Sequence, residues 1–101
     1  MNPTDYIDIN KAYHTKDCVR IKRGNTYAHE LAKFNRAFQL INTGCHIMTE
    51  VPFQDDKGIC DLLDLKEQRA YEFAKSEDEK SLLAKAKKYP IPFAIVRIKN
   101  G

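Results

Sequence analysis

The stretch GICDLLDL (residues 58–65) is apolar enough for a buried strand, yet it carries Asp61 among Ile59, Cys60, Leu62 and Leu63. The next apolar run, AYEFAK (residues 70–75), holds a second carboxylate, Glu72. An isolated carboxylate taken out of water is costly unless it is paired, neutralised or bound to a cation. The surroundings of these two acids therefore decide how the chain is read.

Upstream, HIMTEVPF (residues 46–53) alternates with period two, which predicts a strand with Ile47, Thr49, Val51 and Phe53 on one face and His46, Met48 and Glu50 on the other. Pro52 places that strand at an edge or marks its end. QDDKG and KEQR are turn sequences, so three strands with short connections read as an antiparallel meander. Before them, Thr26 is an N-cap candidate, and Tyr27, Leu31, Phe34, Phe38 and Ile41 recur at helical spacing up to Gly44. These signals predict a helix over about 26–42, with that apolar stripe packed inward and His29, Glu30, Lys33 and Arg36 beside or opposite it. Downstream, SEDEKSLLAKAKKYP (residues 76–90) opens on a Ser76/Glu79 capping box and ends on lysines before Pro90. PFAIVRIK (residues 92–99) closes as a strand, pairing parallel to a neighbour after its crossover helix. Residues 1–24 form a basic arm in which CVRIKRG (residues 18–24) alternates enough for a short strand.

The expected fold class is α/β, in the order α-β-β-β-α-β, with a central mixed sheet flanked by helices. At 101 residues the chain is one domain, 1–101, divided into the arm (1–24) and a core (25–101). Its 43% hydrophobic and 31% charged residues exclude a disordered composition, and a net charge of +3 permits a nucleic-acid partner without requiring one. No run approaches a membrane span and no signal-peptide pattern opens the sequence, so a cytoplasmic, reducing location is expected, including a cell that hosts a virus or plasmid. Cys18, Cys45 and Cys60 are odd in number and lack paired-ligand spacing; a zinc site with His14 and His46 is the lesser reading beside free thiols.

Strand alternation puts Ile59, Asp61 and Leu63 on one face and Ala70, Glu72 and Ala74 on one face of the next strand. Side by side, two carboxylates repel unless one keeps its proton or a cation lies between them. A hard cation such as Mg²⁺ uses one or two carboxylates together with water and phosphate, and the small Ala70 and Ala74 leave room beside Glu72. The competing reading is structural, with Asp61 ending a strand or paired to Lys66 or Arg69.

Taken together, NTYAHELAKF (residues 25–34), HIMTEVPF, GICDLLDL, AYEFAKSE and the Lys-rich helix ending KKYP resemble the PD-(D/E)XK nuclease superfamily, particularly small archaeal and viral nucleases related to Holliday junction resolvases. The resemblance spans about residues 25–98 and rests on order and spacing. It implies a restriction-endonuclease-like core, with Glu30 as the helix acid, Asp61 as the motif Asp and Glu72 as the last acid, all three holding Mg²⁺, with Mn²⁺ as a substitute. Cys60 stands where the motif has Pro, and Ala74 where it has Lys. A bulge could re-aim Lys75, Lys33 could serve from the helix, or the site could be weakened.

The activity implied by the resemblance is that of a Mg²⁺-dependent endonuclease acting on DNA. Asp61, Glu72 and Glu30 would hold metal, Lys75 or Lys33 would orient the attacking water, and His29 and Glu50 are secondary candidates. Arg20, Lys22, Arg23, Lys85, Lys87 and Lys88 would hold the DNA backbone. A homodimer is suggested, with no interface legible in the residues. Two other classes stay open: a nuclease-fold module that binds nucleic acid or assembles without cleaving, and a protein-interaction domain.

Overall fold

The computed structural model describes residues 2–12, 16–75 and 78–98. Four strands form one mixed sheet in the order β1 (Ile47–Pro52), β2 (Ile59–Asp64), β3 (Arg69–Ala74) and β4 (Phe93–Arg97). The first three run antiparallel, as two tight turns require, and β4 pairs parallel to β3 after the crossover through α2 (Glu79–Ala86). The element order α-β-β-β-α-β is the expected one. β1 lies at an edge and stops at Pro52, a residue that cannot donate to a ladder.

One face of the sheet is covered by α1 (Tyr27–Asn42), which buries Ala37 against Ile47, Leu62, Tyr71 and Phe73. The other is covered by the N-terminal segment and α2, with Tyr6, Ile7, Ala86, Tyr89 and Ile91 packed on Val51, Cys60, Leu63 and Ala70. Thr26 caps α1 by accepting from the His29 N–H, and Gly44 follows the helix at φ +89°.

The rotation of α1 departs from the expected one. Its aromatic and aliphatic stripe is turned to solvent, with Tyr27 81% exposed, while Lys33 is fully buried. The face laid on the sheet is small and polar: Ala28, Ala32, Ala37 and Leu40 allow close approach, and His29, Glu30, Lys33 and Arg36 find partners there. Ion pairing inside the fold overrides the hydrophobic periodicity.

Alternation along the strands also breaks. Ile47 packs under α1, but Val51 and Phe53 join the opposite core together with Met48, because Glu50 sits at φ +52° and shifts the parity of β1. Likewise Leu63 packs away from α1 whereas Asp61 points at it. The arm forms no strand among the described residues: the Arg20 N–H donates to the Thr49 hydroxyl (2.9 Å), a side chain, where a ladder would offer a carbonyl. The second helix starts at Glu79; the Ser76 half of the expected capping box lies outside the described residues, and Glu79 instead pairs with Arg97 at 2.9 Å.

Gly58 joins the turn to β2 at φ +114°, and a Cβ there would meet the Tyr89 ring at 2.8 Å. Gly58→Ala is therefore expected to destabilise the fold by about 1–3 kcal/mol, read as a lower urea midpoint at unchanged m-value.

Candidate functional site

The register of β2 on β3 runs Asp64↔Arg69, Leu63↔Ala70, Leu62↔Tyr71. Continued by one residue it sets Asp61 opposite Glu72, and there the pairing between these strands ends. Past that point β2 stays paired with β1, and β3 with β4, so the sheet forks. The two acids occupy the fork and replace its missing ladder bonds. Asp61 Oδ2 accepts from the Phe73 N–H (3.1 Å), and Glu72 Oε2 accepts from the Asp61 N–H (3.1 Å).

They arrive from different layers. Asp61 faces α1, where His29 Nε2 stands 3.2 Å from its Oδ2. Glu72, fully buried, meets the Tyr89 hydroxyl and Lys85 Nζ at 3.5 Å. The expectation of one shared face is thus corrected; the acids converge through the gap in the sheet, each accepting from a backbone N–H of the opposite strand. Burial pushes the Glu72 pKa up, and the adjacent Asp61 charge pushes it further, so Glu72 carries the proton of the pair. Burial also opposes ionisation of Asp61, but hydrogen bonds from His29, Glu72 and the Phe73 N–H outweigh it and hold Asp61 below the usual carboxylate range.

The structural alternative for Asp61 does not hold either. Asp61 lies inside β2, and the turn after it is closed by Asp64, whose Oδ1 accepts from the backbone N–H groups of Lys66 (2.9 Å) and Glu67 (3.1 Å).

Beside the fork lies a buried cation. Lys33 Nζ donates to the Arg20 carbonyl (2.7 Å) and to Glu50 Oε2 (3.1 Å), and it stands 2.6 Å from Glu30 Oε2 as an ion pair without hydrogen-bond alignment. Glu30 also accepts from Asn25 (2.8 Å) and from the Lys22 N–H. Although burial opposes it, these contacts keep its pKa below the usual range. At Glu50 burial wins over the pull of Lys33 and raises the pKa. His29 Nδ1 is buried without a hydrogen-bond partner, 4.0 Å from Glu30 Oε1, and its ring meets Phe73 edge-on.

Glu30, Lys33, His29, Glu50, Asp61 and Glu72 are thus gathered in one region. Among the described residues, lysine ammonium groups from Lys22, Lys33 and Lys85 reach three of its four acids, Glu30, Glu50 and Glu72, while Asp61 is met by His29 and Lys75 lies outside those contacts. Arg20, Lys22 and Arg23 line a groove of about 450 Å³ beside Glu50, while Lys87 and Lys88 stand exposed past the end of α2. Tyr89, absent from the sequence candidates, was hidden in KKYP, where only the helix-stopping Pro90 carried a signal.

No three His, Cys, Asp or Glu side chains among the described residues are arranged to hold a metal ion. The oxygen donors nearest to such an arrangement are the two carboxyls of Asp61 and Glu72 at the fork, each already accepting from a backbone N–H. Glu30 is engaged by Lys33 and Asn25 and does not join them. For zinc, Cys45 and Cys60 are buried free thiols, Cys18 is an exposed one, His46 pairs with Asp17 at 2.8 Å, and His14 lies outside the described residues. No helix among the described residues is long and apolar enough to cross a membrane. No family model, curated protein or solved structure matches the chain.

Above the ordinary carboxylate range the pH dependence of stability follows Glu72, with Glu50 acting in the same direction. The Glu72 pKa is raised in the folded state, so the folded protein binds more protons than the unfolded chain above the ordinary carboxylate range, and stability falls as pH rises. Urea denaturation in EDTA from about pH 5 upward is expected to show that decline, and Glu72→Gln to flatten it.

Proposed function

We propose that this chain hydrolyses phosphodiester bonds of DNA at the β2/β3 fork, using Asp61 and Glu72 to hold one Mg²⁺, or Mn²⁺ in its place. The observation that carries the reading is the convergence of two carboxyls where the strands part, Asp61 accepting from the Phe73 N–H and the fully buried Glu72 from the Asp61 N–H. Asp61 also meets His29, and Glu72 also meets Tyr89 and Lys85, partners that accepting a backbone N–H does not require. When bound, the ion polarises a phosphate oxygen and lowers the pKa of a water.

The chain's own residues divide the remaining work. Asp61, oriented by His29, and Glu72, held by the Tyr89 hydroxyl and the Lys85 ammonium, would hold the ion as carboxylates. Lys33 is the better candidate than Lys75 for the cation that stabilises developing negative charge, because it is buried beside the fork and held by Glu30 and Glu50. Glu30 then acts through Lys33, as a positioning residue. Arg20, Lys22 and Arg23 track the phosphate backbone along the adjoining groove.

A second reading is favoured by one specific observation. Every acid in the region already has a protein partner, which suits a module of the same architecture that binds nucleic acid without cleaving it.

Supercoiled and branched DNA incubated with Mg²⁺ or Mn²⁺ separates the two readings. Cleavage is expected, falling by roughly a hundredfold or more in Asp61→Ala and Glu72→Ala. Lys33→Gln is expected to lose activity where Lys75→Ala does not, with circular dichroism checking that each variant folds. Cutting that survives loss of either acid refutes the site, and salt-sensitive binding without cleavage by any metal selects the second reading.

A further inference from the structure

The outward face of α1 belongs to none of the chemistry above. Tyr27, Leu31, Phe34, Phe38 and Ile41 form a ridge along it, continued by Ile21 of the arm; Tyr27 and Ile21 are each about 80% exposed, and Phe34 and Phe38 about half exposed. The Phe34 and Phe38 rings stand 6.1 Å apart. We infer that this face is the contact surface between two copies of the chain, packed α1 against α1 about a two-fold axis near Phe34, the middle of the ridge. The inference is independent of the hydrolytic reading.

Area supports it first. At these exposures the six side chains present roughly 700 Å², taking 150–250 Å² for each whole aromatic residue and somewhat less for the aliphatic ones. That is about a tenth of the 6489 Å² surface of the chain. It exceeds the ~300–600 Å² of the largest patch on a typical monomer and approaches the ~800 Å² per partner of a stable interface.

Charge supports it next. His29, Glu30, Lys33 and Arg36, the ionisable residues between Tyr27 and Asn42, have partners on the sheet side of the helix, Arg36 lying 5.5 Å from the Tyr71 ring centre. The other outward positions of the helix are Asn35, Gln39 and Asn42, and the grooves beside the ridge carry Arg36 and Arg97 on one side and Asp17 and Glu30 on the other. A ridge with no charge of its own, between flanks of opposite sign, meets its own copy without like-charge repulsion along its length and can hydrogen-bond to it.

Shape supports it last. The ridge is flanked by two apolar grooves, one of about 850 Å³ toward Val96 and Ile98 of the β4 side and one of about 520 Å³ toward Val19 and Ile21 of the arm. A ridge beside a groove is self-complementary under a two-fold rotation, each copy's ridge entering the other's groove.

Sedimentation equilibrium of the full chain is expected to return twice the 11.7 kDa of one copy. Phe34→Lys and Phe34→Glu are each expected to weaken the dimer by about a hundredfold or more, and an equal mixture of the two to restore it, since the substituted positions face each other near the axis. Phe34→Cys in a Cys18→Ser background is expected to form a disulfide-linked dimer on mild oxidation, a readout that needs no charged substitution. A folded wild-type chain that stays monomeric at about 100 µM, some hundredfold above the micromolar Kd expected of a modest interface, overturns the inference. So does a dimer that is indifferent to charge at position 34 and forms no crosslink in the Phe34→Cys variant.

Discussion

A single buried ammonium organises this molecule. Lys33 has no exposed surface, and a cation so placed costs several kcal/mol unless its partners are close and well oriented. Its three partners come from three segments: Glu30 from its own helix, Glu50 from the kink in β1, and the Arg20 carbonyl from the arm. Satisfying Lys33 therefore docks α1 on the sheet, draws the arm alongside and favours the left-handed backbone at Glu50 that aims its carboxylate inward. It also sets the rotation of the helix. At about 100° per residue, Leu40, His29, Ala37, Glu30 and Arg36 lie within about 60° of Lys33 and share the inward side. Phe34, Phe38, Tyr27, Leu31 and Ile41 fall about 80–160° away and are carried toward solvent.

The fork is the second consequence of polar groups ranking above regular pairing. Where β2 and β3 part, Asp61 and Glu72 take up backbone N–H groups that a continued ladder would have used. Each carboxyl is thus fixed by the main chain of the opposite strand. Glu72 is further held by Tyr89, and Tyr89 can lie where it does because Gly58 has no Cβ to oppose its ring. The turn, the loop after α2 and the acid on β3 form one mechanical chain.

The element order was legible because its signals are local: Thr26 as a cap, Gly44 as a stop, two tight turns, and a crossover helix that obliges β4 to run parallel to β3. That Asp61 and Glu72 lie on neighbouring antiparallel strands was legible too, since a short turn joins β2 to β3. Facing was not. Glu50 is an ordinary residue for a strand, and nothing in TEVPF signals a positive φ, so the switch of Val51 and Phe53 to the far core could not be read from alternation. The α1 stripe misled for a different reason. Its period was correct, but YAHELAKFNRAFQLIN carries two faces fit to be buried, one large and apolar, one small and ionisable, and local pattern holds no information on which the sheet receives. Only the partners of Lys33, some remote in sequence, decide that.

Several departures from local rule gather in one place: a lysine without exposure, a left-handed residue within a strand, two carboxyls at a sheet fork and an orphaned imidazole nitrogen fall between α1 and the fork. Stability gives no reason for them, since buried ion pairs are commonly replaced by apolar groups of like volume at no loss. The opposite core, built of Val51, Phe53, Leu63, Ala86 and Ile91, shows that this chain packs apolar side chains conventionally where nothing else is asked of it. Ionisable side chains held by one another, as Lys33 is by Glu30 and Glu50, gather where α1 meets the sheet. Because α1 supplies that region from one side and exposes its apolar ridge on the other, any contact that fixes the ridge also bears on the helix that holds Lys33.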